Sequence, residues 1–359
     1  MKQLLLSFAI AFACNAYGAI RTVSNNPSTI AHFSTIQAAL DAAVSGDTIF
    51  VHGSPNAYAG FTVNNKSVTI IGPGWRPNKL LPHTASIVTG IQLSGTGTTG
   101  TELQGLVIAS TVNTVTAGVN NIRFIRNKLT GNWFYITPGS SATISGYLFE
   151  GNWFDNGGVI TNQNFTLENF IFQNNIFYES GCCISSNISG FTNAVNVLFD
   201  HNLFYGPSTG PRDAFGANSR FLILSNNIFV RRNAANNLSS SIFNNNITFN
   251  TGNDAPWNVN SNVNSGGNIA GQDPQMVDQA AVNAGTNDPL LNFSIPAGPA
   301  NNAGTDGKDL GLLYDATGSL NWDNSRASRL PFIYSMNITT PTVAPGGNVT
   351  VTVESRRNN

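Results

Sequence analysis

Five residues in the middle of this chain have side chains that do chemistry: Asp200-His201, Arg212-Asp213 and Arg220. Arg212 can neutralise the carboxylate of a uronate sugar, and His201 or Asp200 can shuttle a proton to or from it. The group reads as a catalytic candidate because Asp200 and Arg220 fall in successive copies of a short repeat. Neighbouring copies of such a repeat stack about 5 Å apart. The competing reading is structural. Asp200 and His201 occupy the polar step of the repeat, where other copies carry Gln173-Asn174 and Glu150-Gly151, so they are expected to be turn residues. The four histidines are scattered without metal-ligand spacing, so no metal site is expected. There is no nucleophile elbow and no phosphate loop.

The repeat that must position these residues is two or three apolar residues, a polar step, Asn, then one or two apolar residues. Phe170-Ile-Phe-Gln-Asn-Asn175-Ile-Phe is its best copy. The Asn positions are Asn127, Asn152, Asn175, Asn202 and Asn227, followed by a degenerate copy at Asn246. The steps between them are 25, 23, 27, 25 and 19 residues. Runs this short and this rich in Phe, Ile and Leu are strands. A strand-borne period in the twenties is the mark of a stacked solenoid. Each copy makes one rung, and the Asn is expected to take the bend between two strands. The recurring Asn is also expected to form a ladder of amide hydrogen bonds through the coil. Trp133, Trp153, Phe154, Phe177, Tyr178, Phe204 and Tyr205 follow the Asn in the repeat, and outward members of that stripe can stack on sugar rings.

Composition agrees with a coil held by strand ladders and turns. Charged residues make up 10% of the 359, Gly numbers 35, and the formal net charge is −1. That charge gives no field to recruit nucleic acid, so no nucleic-acid partner is expected. Arg231-Arg232 and Arg356-Arg357 read as exposed turn or tail residues. Residues 1–18 have the anatomy of a secretory signal: Lys2, an apolar core from Leu4 to Ala13, and Ala16-Tyr-Gly18 before a cleavage site. The expected destination is outside the cell, secreted or on the cell surface or outer envelope. Lipid attachment at Cys14 is the less favoured route. No segment is long and apolar enough to form a transmembrane helix. Cys182 and Cys183 read as two small apolar residues on opposite strand faces.

Thr35 to Val44 has helical periodicity, with Ser34 as the expected N-cap, in a capping helix at about 34–45. Phe33-Ser-Thr-Ile-Gln-Ala-Ala-Leu40, Ser45-Gly-Asp-Thr-Ile-Phe-Val51, Tyr58 and Val68-Thr-Ile-Ile-Gly72 resemble the N-terminal cap and first rung of the pectin-lyase-like superfamily. The resemblance implies an all-β, right-handed parallel β-helix with a short N-terminal capping helix. It says little about activity, because lyases, hydrolases, esterases, adhesins and tailspikes share the fold. Asp273-Pro-Gln-Met-Val-Asp278, Asn292-Phe-Ser-Ile-Pro-Ala-Gly-Pro-Ala-Asn-Asn-Ala-Gly304 and Asp309-Leu-Gly-Leu-Leu-Tyr314 resemble the closing rungs of secreted Bacteroidetes-type β-helix proteins. That resemblance implies a coil running to about residue 318, although Ser294-Ile-Pro296 departs from its pattern. The β-helix domain is therefore expected over 19–330. Residues 331–359 alternate in period two and form a C-terminal β-hairpin, or the start of a truncated β domain, with one face buried.

The adjacent Asp pairs and Gly-His-Gly of polygalacturonases are missing, as are the paired-Asp calcium and Arg motifs of pectate lyases and the Gln-Asp-Thr of pectin methylesterases. The expected function is a secreted scaffold that binds polysaccharide, a cell-surface glycan or another cell-surface partner, with no cofactor. The alternative is a polysaccharide lyase or glycoside hydrolase acting on uronate-containing glycans. Ca2+ enters only under the lyase reading.

Overall fold

The computed structural model describes residues 18–75, 85–138, 143–161, 164–180, 186–207, 212–288, 290–314, 322, 331–338 and 351–357. The signal segment, Cys14 and the Cys182-Cys183 pair lie outside them.

The chain is all-β and winds as a parallel β-helix of about 9 turns. Three long parallel sheets run along it. Sheet 1 has 11 strands, from Ile20–Val23 to Val263–Asn264. Sheet 2 has 8, from Ile87–Val88 to Ile247–Phe249. Sheet 3 has 6, from Phe61–Asn64 to Ile188–Ser189. Alternation turns every second side chain inward, and equivalent residues stack. Phe149, Phe172 and Phe199 of sheet 1 have ring centroids 4.7 and 4.3 Å apart. Phe154, Phe177, Phe204 and Phe229 of sheet 2 follow at 4.8, 4.6 and 4.8 Å. These spacings match the strand separation, so each ring buries its faces between its neighbours in register.

The corner from sheet 1 to sheet 2 holds the recurring asparagines. Asn127, Asn152, Asn175, Asn202, Asn227, Asn246 and Asn268 form one column. Each backbone N–H donates to the Oδ1 of the next, at 2.9 to 3.0 Å. Each side-chain amide donates to a carbonyl of the preceding rung, as Asn175 does to Phe149 and Asn202 to Phe172. Its second hydrogen goes to the next Oδ1. The side-chain amides of the column are thereby paired. The bend itself differs from the expected arrangement. The left-handed residue is the one before each column Asn: Arg126, Gly151, Asn174, His201, Asn226, Asn245 and Gly267, with φ between 51 and 66°. The column Asn keeps its amide free for the ladder because its neighbour takes the turn.

The first turn is covered by a helix, Ile36–Ala42, which buries Ile36, Ala39 and Leu40. Its N-cap is Thr35, whose hydroxyl accepts from Ala38 N at 3.2 Å, and not Ser34. Lys66 Nζ donates to the carbonyls of Leu40 and Ala43 at the other end, satisfying two of the orphan acceptors there. Asp47 ties the first strand down, accepting from Ala19 N, Arg21 Nε and Val44 N.

The C-terminal end differs most from the sequence reading. Sheet 1 stops at Val263–Asn264, and Trp257, in the short turn Pro256–Asn258, packs 6.0 Å from Phe243 at that end of the core. Residues 273–314 add no rungs to the three sheets. They run back along the outer face of sheet 2 as a strap, with one short helix at Gln279–Ala284. Met276, Val282, Phe293, Ile295, Leu310 and Leu312 bury the outward side chains Trp153, Ile176, Leu203 and Ile228 in a second apolar cluster. Gly311 N donates to Asn226 O at 2.7 Å, and Leu313 N to Asn174 Oδ1 at 2.8 Å. Asp273-Pro274 and Asp309-Leu310 thus belong to a covering segment. Beyond it, Pro331–Ile338 pairs antiparallel with Val351–Arg357. Val351 and Val353 are 45% and 51% exposed, so the buried face expected from their alternation with Thr is not found there.

Candidate functional site

The five candidate residues fall into separate surroundings. Asp200 ends the sheet 1 strand Val197–Asp200 and points outward, its Oδ1 accepting from Asn226 Nδ2 at 2.8 Å. Burial pushes its carboxyl above the ordinary value, opposed by His201 and the Asn226 hydrogen bond. His201 is the left-handed corner residue. It is 3% exposed, with Nδ1 3.1 Å from Gly311 O and Nε2 3.5 Å from Asp306 Oδ2, both on the strap. Arg212-Asp213 form a two-residue ladder with Arg232-Asn233, and the Asp213 carboxylate accepts from Asn236 Nδ2 and Asn237 Nδ2. Arg220 pairs with Ser239, donates from Nε to Thr192 O at 2.6 Å, and lies over the Phe221 ring. Asp200 and His201 therefore sit under the strap at the sheet 1–sheet 2 corner, while the other three lie on separate short ladders elsewhere on the rung.

One buried ion pair was not visible beforehand. Arg232 is fully buried, donating to Glu179 Oε2 at 2.9 Å and Asn187 Oδ1 at 2.7 Å. Burial pulls the guanidinium down to about 10, with Glu179 and Asp213 opposing the shift. The sequence reading of Arg231-Arg232 as exposed is corrected for Arg232. No local signal marks it, because Glu179 is 53 residues away.

The aromatic stripe also divides. Phe154, Phe177 and Phe204 are inside the coil. Trp153, Tyr178 and Tyr205 face outward but are buried by the strap, where Tyr178 and Tyr205 donate to the carbonyls of Gly285 and Thr286. Trp133 is different. It lies on sheet 3, half-buried, and Tyr135 points the same way two residues on. Thr62, Gln92, Asn113, Tyr135, Ile160 and Ser189 form one outward row in register across six strands. Trp133 is paired with Gly158, so no side chain stands at its register position on the next strand. Next to the aromatics is a cleft of about 300 Å³ lined by Gln37, Thr62, Gln92, Thr111, Asn113 and the backbone at Gly60 and Gly90. Neither the row nor the cleft carries a charged side chain. Tyr135 is not in the stripe that follows the repeat Asn, although Trp133-Phe-Tyr135 in a strand signals two aromatics on one face.

Among the described residues, no three His, Cys, Asp or Glu come together as a metal set, and no helix is long and apolar enough to cross a membrane. No protein-family model matches the chain, and no curated protein matches it.

Proposed function

We propose that this chain is a secreted β-helix scaffold of pectin-lyase-like type that binds polysaccharide along the outer face of sheet 3. The observation that carries the reading is the pair Trp133 and Tyr135, partly exposed on a face that no described segment covers, beside a neutral, amide-lined cleft. Pyranose rings present apolar C–H faces that stack on such aromatics, while Gln92 and Asn113 supply the hydrogen bonds that orient them. Rungs about 5 Å apart repeat on the scale of a sugar residue, which suits a polymer better than a single sugar. Affinity electrophoresis in gels cast with a panel of neutral and uronate polysaccharides tests this. Trp133→Ala should weaken retention about 30-fold, the effect of losing a central aromatic anchor. Unchanged mobility of the wild-type protein in every gel would remove the proposal.

A second reading rests on sheet 1. Glu150, Gln173 and Asp200 share one outward row, and Gln173 Nε2 donates to Glu150 Oε2 at 2.7 Å. Two rungs separate the carboxylates by about 10 Å, just beyond the spacing used by inverting hydrolases. The raised carboxyl of Asp200 suits a general acid. Reducing-sugar release from uronate polymers, lost in both Glu150→Gln and Asp200→Asn, supports the hydrolase. Ca2+-dependent absorbance from unsaturated ends would instead indicate a lyase.

A further inference from the structure

A larger concavity, about 480 Å³, lies away from sheet 3's aromatic face, between the short strands Ser219–Arg220 and Leu238–Ser239 and the turn at Asn260-Ser261. Its lining includes Asn236, Asn237, Asn260, Ser239, Ser240 and Ser261, with no charged residue. The amides in it are not free to choose their orientation. The Asp213 carboxylate, just behind the lining, accepts from Asn236 Nδ2 at 2.9 Å and Asn237 Nδ2 at 2.7 Å. An ionised carboxylate only accepts, so it fixes which end of each amide faces it and turns both Oδ1 atoms away. Asn260 commits its amide nitrogen to the carbonyls of Ala235 and Leu238, leaving its Oδ1 as the remaining side-chain group.

The cleft therefore offers three preset acceptors and three adaptable hydroxyls, and no charge. A divalent cation wants carboxylates among its ligands, and an anion is held best by positively charged donors; neither lines this cleft. A ligand rich in neutral hydroxyl donors satisfies both constraints, and the volume suits one or two sugar rings. We propose that this cleft is a binding site for a neutral sugar residue or short oligosaccharide, with Asn236, Asn237 and Asn260 accepting its hydroxyl hydrogens and Asp213 as the positioning residue. The site is independent of the polymer face proposed on sheet 3.

The test is titration of the 15N-labelled protein followed through the side-chain amide resonances. The probes are methyl glucoside, methyl galactoside, N-acetylglucosamine and a neutral disaccharide, with glucuronate and CaCl2 alone as separate arms. At least one neutral sugar should shift the Asn236, Asn237 and Asn260 amides, with glucuronate weaker. Asn236→Ala, at an exposed position, should weaken binding about tenfold, the loss of one hydrogen bond. Asp213→Asn keeps the shape but can itself donate. It should weaken binding similarly and change the Asn236 and Asn237 side-chain signals in the free protein. Trp133→Ala should leave these shifts intact while weakening polymer retention about 30-fold, so failure of one site is distinguishable from failure of the other. Shifts produced by CaCl2 but by no sugar, no shifts with any probe, or sugar shifts indifferent to both Asn236→Ala and Asp213→Asn would overturn the proposal.

Discussion

The outer faces of sheets 1 and 2 are built from similar residues and treated in opposite ways. Sheet 2 turns Trp153, Ile176, Leu203, Ile228 and Ile247 outward in one register row, and the strap at 273–314 buries them. Sheet 1 turns Leu148, Ile171, Leu198, Ile223 and Ile242 outward in an equivalent row. There Ile171 stays 37% and Ile242 40% exposed. Parallel sheets are ordinarily covered on both faces. Here the chain covers one outer row with its own C-terminal segment, and no described segment closes over Ile171 and Ile242 on the other. Aliphatic character of an outward row therefore does not by itself tell which face is closed.

The contrast can be broken first at the corner the two sheets share. Asn202→Ala should cost about 4 kcal/mol, because it leaves the buried amide of Asn175 without its acceptor and Phe172 O without its donor. Chemical denaturation reads this directly, and a loss under 1 kcal/mol would mean the column is not a stabilising feature. Next, Ile228→Ala, on the covered row, should cost about 3 kcal/mol through lost burial and an unfilled cavity beneath the strap. The acid response of sheet 1's first strand is smaller. Burial alone would raise the Asp47 carboxyl, but bonds from Arg21, Val44 and Ala19 hold it below the ordinary value of 3.8. A depressed folded value means that its contribution is complete above about pH 4 and is lost as the pH falls through the folded value. Amide exchange at 20–23, corrected for intrinsic rate, should therefore speed up below pH 4, and Asp47→Asn should remove that dependence. Ile171→Thr, on the open row, should change stability by no more than about 0.5 kcal/mol. If Ile171→Thr and Ile228→Ala cost the same, the distinction between the two faces is wrong.

The coil was legible because its rungs are chemically alike. A column Asn must recur wherever the corner recurs, and the residue after it is apolar in every rung but that of Lys128, so period and strand content are written locally. Gly267-Asn268-Ile269 carries the same signature as Gly151-Asn152-Trp153 and marks the seventh column position. Its polar surroundings mask the signature in the sequence. The strap was not legible. Phe293 and Ile295 look like rung residues, and only the apolar outward row, from Trp153 to Ile247 far earlier in the chain, decides that they lie outside the coil. Arg232 and Glu179 failed for the same reason. Of the candidate site, Trp133 was recognisable as an aromatic in a strand. That it stays uncovered while Trp153 does not depends on where the strap runs.

The amide column runs in one direction, each Oδ1 receiving from the turn before it. A duplicated block from one column position to the next, such as Asn175 to His201, would meet matching donors and acceptors at both seams. The rod should therefore accept growth or shortening by complete turns, each altering its length by about 5 Å. Removal of half a turn would leave two incompatible ends.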